Sequence, residues 1–136
     1  MVKVIIGEKG SGKTNALLKS VQSAVERDHG SVVFINNNKR HVLDLNYKVR
    51  MIDTSEFDIA NFEELYGLVS GVISQNYDIT HIFVDSITKI ANGDVCDIEK
   101  YLDRVAKIAD KFNIEVLMTI SMSENSASDG IKKYLA

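Results

Sequence analysis

Gly7-Glu8-Lys9-Gly10-Ser11-Gly12-Lys13-Thr14 has the form G-x-x-x-x-G-K-[ST], and its flanks decide the fold. The apolar run Val2 to Ile6 before it reads as a buried strand, and Asn15 to Arg27 after it has helical periodicity. A strand, a glycine-rich turn and a helix start gather backbone N–H groups and the positive end of a helix dipole around a phosphate chain. In that arrangement Lys13 reaches the β- and γ-phosphates and the Thr14 hydroxyl ligates Mg²⁺. Gly7 and Gly12 permit backbone angles and a close approach that a Cβ would block. A chance match in a chain of this length has odds of about one in two hundred. All eight residues are therefore candidate phosphate-binding positions.

Composition bounds what surrounds the loop. At 136 residues the chain suits one domain with one core, spanning residues 1–136. A net charge of −3 with 26% charged residues argues against nucleic acid or a membrane surface as the partner. Cys96 is the only cysteine, so neither a disulfide framework nor a zinc cluster can form within one chain. A lone thiol suits a reducing cytosol and reads as a small loop residue. Lys3 precedes only a short apolar stretch, below the length of a signal-peptide core, and no run approaches a membrane span. These features together predict a cytoplasmic protein.

Strand-like and helix-like segments alternate along the chain, the pattern of a parallel sheet covered on both faces. β-branched apolar runs occur at Val2–Ile6, Val32–Ile35, Val49–Ile52, Ile82–Val84 and Val116–Ile120. They are nearly continuous, as strands buried on both sides should be. Leu17, Leu18, Val21, Ala24 and Val25 form one helical stripe, with Gly30 as its stop. Ile59, Phe62, Leu65, Tyr66, Val69, Val72 and Ile73 form a second. The third is Ile98, Tyr101, Leu102, Val105, Ile108, Ala109 and Phe112, with Asp97 as candidate N-cap. Their helical spacing assigns the aromatics to the core, not to a base-stacking platform. Asn36 to Arg40 is a polar break after the second strand, and Ser121 to Gly130 is a polar segment near the end.

His81-Ile82-Phe83-Val84-Asp85-Ser86 is an apolar strand ending in an acid, the form of a Walker B element. Downstream of a phosphate-binding loop, such an acid faces the loop's Thr hydroxyl and holds Mg²⁺, usually through water. Thr14 and Asp85 are thus the candidate metal positions.

With both elements in place, the chain resembles the P-loop NTPase superfamily and, within it, the RecA/KaiC-like branch. The stretch Ile82 to Thr88 resembles that branch's hhhDSh segment, and the unit from helix Asp97–Phe112 into Glu115–Ile120 is similar to its helix and following sensor strand. The resemblance covers roughly residues 1 to 121. The whole chain also looks like a group of short, uncharacterised bacterial proteins described only as ATP-binding, a likeness that supplies no activity. The resemblance implies a three-layer α/β/α fold whose five parallel strands run in the order 1-5-4-2-3. Val2–Ile6 would then be a sheet edge, which Ile131, Tyr134 and Leu135 of the tail, or a second subunit, should cover. The kinase and GTPase branch would place the Walker B strand directly beside the first.

The departures are equally informative. RecA-like enzymes usually carry a catalytic Glu just after the second strand, where this chain has Asn36, Asn37 and Asn38. An acid directly after the Walker B Asp is also absent, because Ser86 stands there. Glu8 is read as solvent-facing, and Asp53 as too far out unless the third strand is central. No general base stands out. ParA/MinD-type ATPases need Lys at position 8, which is Glu here; GTPases need N-K-x-D after a late strand and D-x-x-G after Walker B, where Thr88 stands. ATP is favoured over GTP by elimination. The short segments after the fourth and fifth strands do not suit RecA-type DNA binding, Lys89 reads as a surface cation, and His29, His41 and His81 lack metal-ligand spacing.

The leading expectation is a Mg²⁺-dependent ATP-binding protein acting as a weak or partner-stimulated ATPase or a nucleotide-dependent switch, with a protein partner or homo-oligomer left open. A small-molecule or nucleoside kinase is the alternative, though Arg27, Arg40, Arg50 and Arg104 are too dispersed for a lid. A non-hydrolysing interaction module is the third.

Overall fold

Alternate residues of the inner strands feed two separate cores, one on each face of a single sheet. The computed structural model describes residues 1–27, 30–38, 45 and 48–136; the readings that rest on His29, Lys39, Arg40 and His41 fall outside them. Five strands, β1 (Val2–Gly7), β2 (Ser31–Asn36), β3 (Val49–Asp53), β4 (Ile79–Val84) and β5 (Glu115–Ser121), pair in parallel in the order β1-β5-β4-β2-β3. The last strand in sequence is thus inserted between the first and the fourth, as expected.

Along β2, Val33 and Ile35 join one core while Val32 and Phe34 join the other. Helix α1 (Lys13–Arg27) covers the second face by packing Leu17, Val21 and Ala24 onto Val32, Phe34, Val49 and Phe83. On the opposite face lie α2 (Phe62–Ser74) and α4 (Val95–Phe112), with the short α3 (Ile87–Ile90) between them in sequence. The Phe62 and Tyr101 rings meet at 5.5 Å and 47° where α2 packs on α4. Burial pushes the Tyr101 phenol far above its ordinary pKa, and its hydroxyl donates to Met118 Sδ at 3.3 Å. The layers are therefore helix, sheet, helix.

Three local readings need correction. The N-cap of α4 is Asp94, whose carboxylate accepts from Asp97 N–H at 2.9 Å; Asp97, at N3, accepts from Asp94 N–H at 3.0 Å. This is a capping box made of two acids, so either looks like the cap in sequence. Phe112 is 45% exposed, not core, because the left-handed turn at Asn113 (φ 55°) brings Ile114 inward instead. Cys96 is exposed in the first turn of α4 and not in a loop.

The β1 edge is closed by the tail. Helix α5 (Asp129–Lys132) buries Ile131 completely, and the chain then runs alongside β1. Val4 N–H donates to Tyr134 O at 2.8 Å and Val4 O accepts from Ala136 N–H at 2.9 Å, a parallel bridge between Val4 and Leu135. Tyr134 Oη donates to Asp103 Oδ1 at 2.5 Å, tying the tail to α4. An edge strand that would otherwise offer free backbone groups is blunted in this way. No helix among the described residues is long and apolar enough to cross a membrane.

Candidate functional site

In a parallel sheet the carboxyl ends of all strands lie on one side, where loops collect ligand-binding groups. Gly7, Asn36, Asp53 and Ser121 end β1, β2, β3 and β5, and Asp85 follows β4 directly, so all five stand at that side. β3 is an edge strand, which leaves Asp53 remote; its Oδ1 accepts from Ser55 N–H at 2.9 Å and caps the turn Thr54–Glu56.

The segment from Glu8 to Gly12 turns tightly from β1 into α1. Ser11 N–H donates to Glu8 O at 3.1 Å, while Gly10 and Gly12 take φ of +85° and +89°, a region side chains resist. Gly7 is constrained by space: a Cβ there would overlap the Ser11 side chain. Glu8, Lys9, Gly10, Ser11 and Gly12 are exposed, so Glu8 faces solvent as expected. Lys13 is buried and folds back over the loop, its Nζ donating to Glu8 O at 2.9 Å. The result is a surface cradle with a cation at its root, opening at the N-terminus of a fifteen-residue helix.

Thr14 reaches across to the end of β4. Its hydroxyl lies 3.2 Å from Asp85 Oδ2 and 3.3 Å from Oδ1. The two candidate metal positions, far apart in sequence, are thus brought together beneath the loop. Mg²⁺ takes one or two protein ligands and completes its shell with water and phosphate oxygens. One hydroxyl and one carboxylate at hydrogen-bonding distance fit that requirement. Among the described residues no three His, Cys, Asp or Glu side chains converge, so a metal here would depend on the phosphates.

Thr119 carried no signal in the sequence reading, and neither did the backbone conformation of Ser86. Thr119, fully buried on β5, donates from its hydroxyl to Asp85 Oδ1 at 2.7 Å and accepts from Ser86 N–H at 2.6 Å. Ser86 holds a left-handed backbone (φ 58°, ψ 64°) directly after the acid. β5 also secures the loop, because Met122 N–H, just past its end, donates to Gly7 O at 3.1 Å.

The position where a base would be sought holds amides. Asn36 is buried and its Oδ1 accepts from Asn38 N–H at 3.2 Å; Thr54 donates to Asn36 O at 3.1 Å. A carboxamide cannot take up a proton at neutral pH. Clefts of about 630, 710 and 450 Å³ open elsewhere on the surface, and none of these three is lined by Gly7–Thr14 or Asp85. Lys89 is exposed on α3.

No protein-family model matches this chain, and no curated protein matches it significantly.

Proposed function

We propose that this chain is a Mg²⁺-dependent ATP-binding protein of the P-loop NTPase superfamily, RecA/KaiC-like branch, working as a weak or partner-stimulated ATPase or as a nucleotide-dependent switch. The observation that carries the reading is the Thr14 hydroxyl at 3.2 Å from Asp85, beneath a loop whose sequence and turn match a phosphate cradle. The insertion of β5 between β1 and β4 supports the RecA-like branch over the kinase and GTPase branch.

In this reading backbone N–H groups of Gly10 to Thr14 receive the phosphate oxygens, and Lys13 exchanges its bond to Glu8 O for the β- and γ-phosphates. Thr14 and Asp85 hold Mg²⁺, which neutralises phosphate charge when bound. Turnover is slow because Asn36 stands where a Glu would activate water, and Glu8 points to solvent. Ser86 and the Asn37–Asn38 segment, at the ends of β4 and β2, are the elements a γ-phosphate would order. ATP is preferred to GTP by the missing guanine-reading motif.

Phosphate release from Mg·ATP, followed with and without candidate acceptors, separates the alternatives. Slow release that Mg²⁺ stimulates supports the proposal. Transfer to an acceptor moves the chain to the kinase class, and binding without any release leaves an interaction module.

A further inference from the structure

Thr119 has a hydroxyl whose hydrogen-bonding capacity is almost fully used. Its proton goes to Asp85 Oδ1 at 2.7 Å and a lone pair receives Ser86 N–H at 2.6 Å. It is fully buried, so water does not compete for either bond. It sits on β5, paired with Ile5 of β1, in the strand joining the loop side of the sheet to the acid side. The Thr14 contacts with the same carboxylate are longer, at 3.2 and 3.3 Å.

We propose that Thr119 is a positioning residue for the metal-binding acid: its hydroxyl fixes the Asp85 carboxylate and holds the left-handed Ser86 turn while Thr14 is free to leave for a metal. Without it, drawing Thr14 onto a metal would leave Asp85 only the distant Ser86 hydroxyl, 3.5 Å from Oδ1, as a hydroxyl donor. The carboxylate could then rotate away, and Ser86 N–H, at a buried residue, would lose its acceptor. Partners that orient a metal ligand from behind set metal affinity, commonly by about 10–100-fold. Val at this position keeps the shape and removes the hydroxyl, whereas Ser keeps the hydroxyl and removes the methyl. The pair therefore separates positioning from packing.

The proposal rests on the Mg·ATP reading above. Calorimetric titration of ATP into wild-type protein, Thr119→Val and Thr119→Ser, in EDTA and across a MgCl₂ series, tests it. Hydrogen exchange at the Ser86 amide, measured without nucleotide, supplies a second readout. The expected result for Thr119→Val is a Mg²⁺ half-saturation raised about tenfold, with affinity for metal-free ATP unchanged and faster Ser86 exchange. Thr119→Ser restores both readouts. An unchanged Mg²⁺ series in Thr119→Val, or Thr119→Ser as impaired as Thr119→Val, overturns the proposal. A wild-type protein that binds no Mg·ATP overturns the functional reading beneath it, which is a distinguishable failure because the positioning claim alone leaves wild-type binding intact.

Discussion

Thr14 and Asp85 are 71 positions apart in the chain, yet the Thr14 hydroxyl lies 3.2 Å from Asp85 Oδ2. The contact exists because α1 begins at the carboxyl end of β1 while Asp85 follows β4, with only β5 between those strands. A bonded hydroxyl and carboxylate at the foot of a glycine-rich loop form a pair that a divalent cation can divide.

That pair predicts separable phenotypes. Lys13→Ala removes the loop's buried cation, a charge-assisted contact worth about 1.5–3 kcal/mol, so ATP affinity should fall about tenfold or more with or without Mg²⁺. Asp85→Asn keeps an acceptor for Thr119 but removes the charge, so it should abolish Mg²⁺ stimulation and spare metal-free binding. Titrations in EDTA and in MgCl₂ distinguish the two. Identical losses in both variants would count against the assignment of roles.

Turnover by the purified chain should lie below about 1 s⁻¹, the low end of ordinary enzymes, because an amide occupies the base position. A coupled phosphate assay reads this directly. Fast steady-state release would mean that a base has been missed, with Glu8 and Asp53 the first to mutate.

The loop glycines predict stability effects of different origin. Gly7→Ala drives a Cβ into the Ser11 side chain, and Gly12→Ala puts a side chain at φ +89°. Each should cost about 1–3 kcal/mol in denaturant unfolding. Adding Ser11→Gly should recover much of the Gly7→Ala loss and none of the Gly12→Ala loss. Equal recovery of both would show that the crowding at Gly7 is not the cause.

How far the sequence anticipated this structure depended on how each feature is encoded. The five apolar runs made the strands legible but not their order, which came only from the resemblance carried by the loop, the acid-ending strand and the closing helix–strand unit. The tail's place was foreseeable because Ile131 and Tyr134 needed cover, but Leu135 stays 39% exposed, and its bridge to Val4 uses backbone atoms and leaves no side-chain signature. Thr119 was invisible, since a Thr within an apolar strand reads as strand propensity and nothing local reveals that its hydroxyl meets Asp85. The left-handed turn at Ser86 was equally silent, because it is imposed by a tertiary hydrogen bond.

The tail predicts a pH response. Partial burial, then the bond to Asp103, raises Tyr134 from its ordinary 10.0 to about 12. Its contribution to tail docking is present below pH 10 and lost as pH rises through 12. Asp103 is lowered from 3.8, first by the Tyr134 hydrogen bond, so its contribution is present above that value and lost as pH falls through its lower folded pKa. Tyr134→Phe should flatten the alkaline limb and reduce the acid limb, which Lys133 also shapes, in thermal melts taken from pH 2 to 12, while Ile131→Ala should cost about 2–5 kcal/mol at neutral pH. A Tyr134→Phe profile matching wild type would show that the Tyr134–Asp103 bond does not hold the tail.

Whether Gly7–Thr14 and Asp85 form a Mg²⁺-dependent ATP site is decided by isothermal calorimetry of wild-type protein against Lys13→Ala. Wild type should bind Mg·ATP saturably at or below millimolar concentration, and Lys13→Ala should weaken that binding about tenfold or more. No heat of binding from wild type at millimolar Mg·ATP, or equal binding by both proteins, would contradict this assignment.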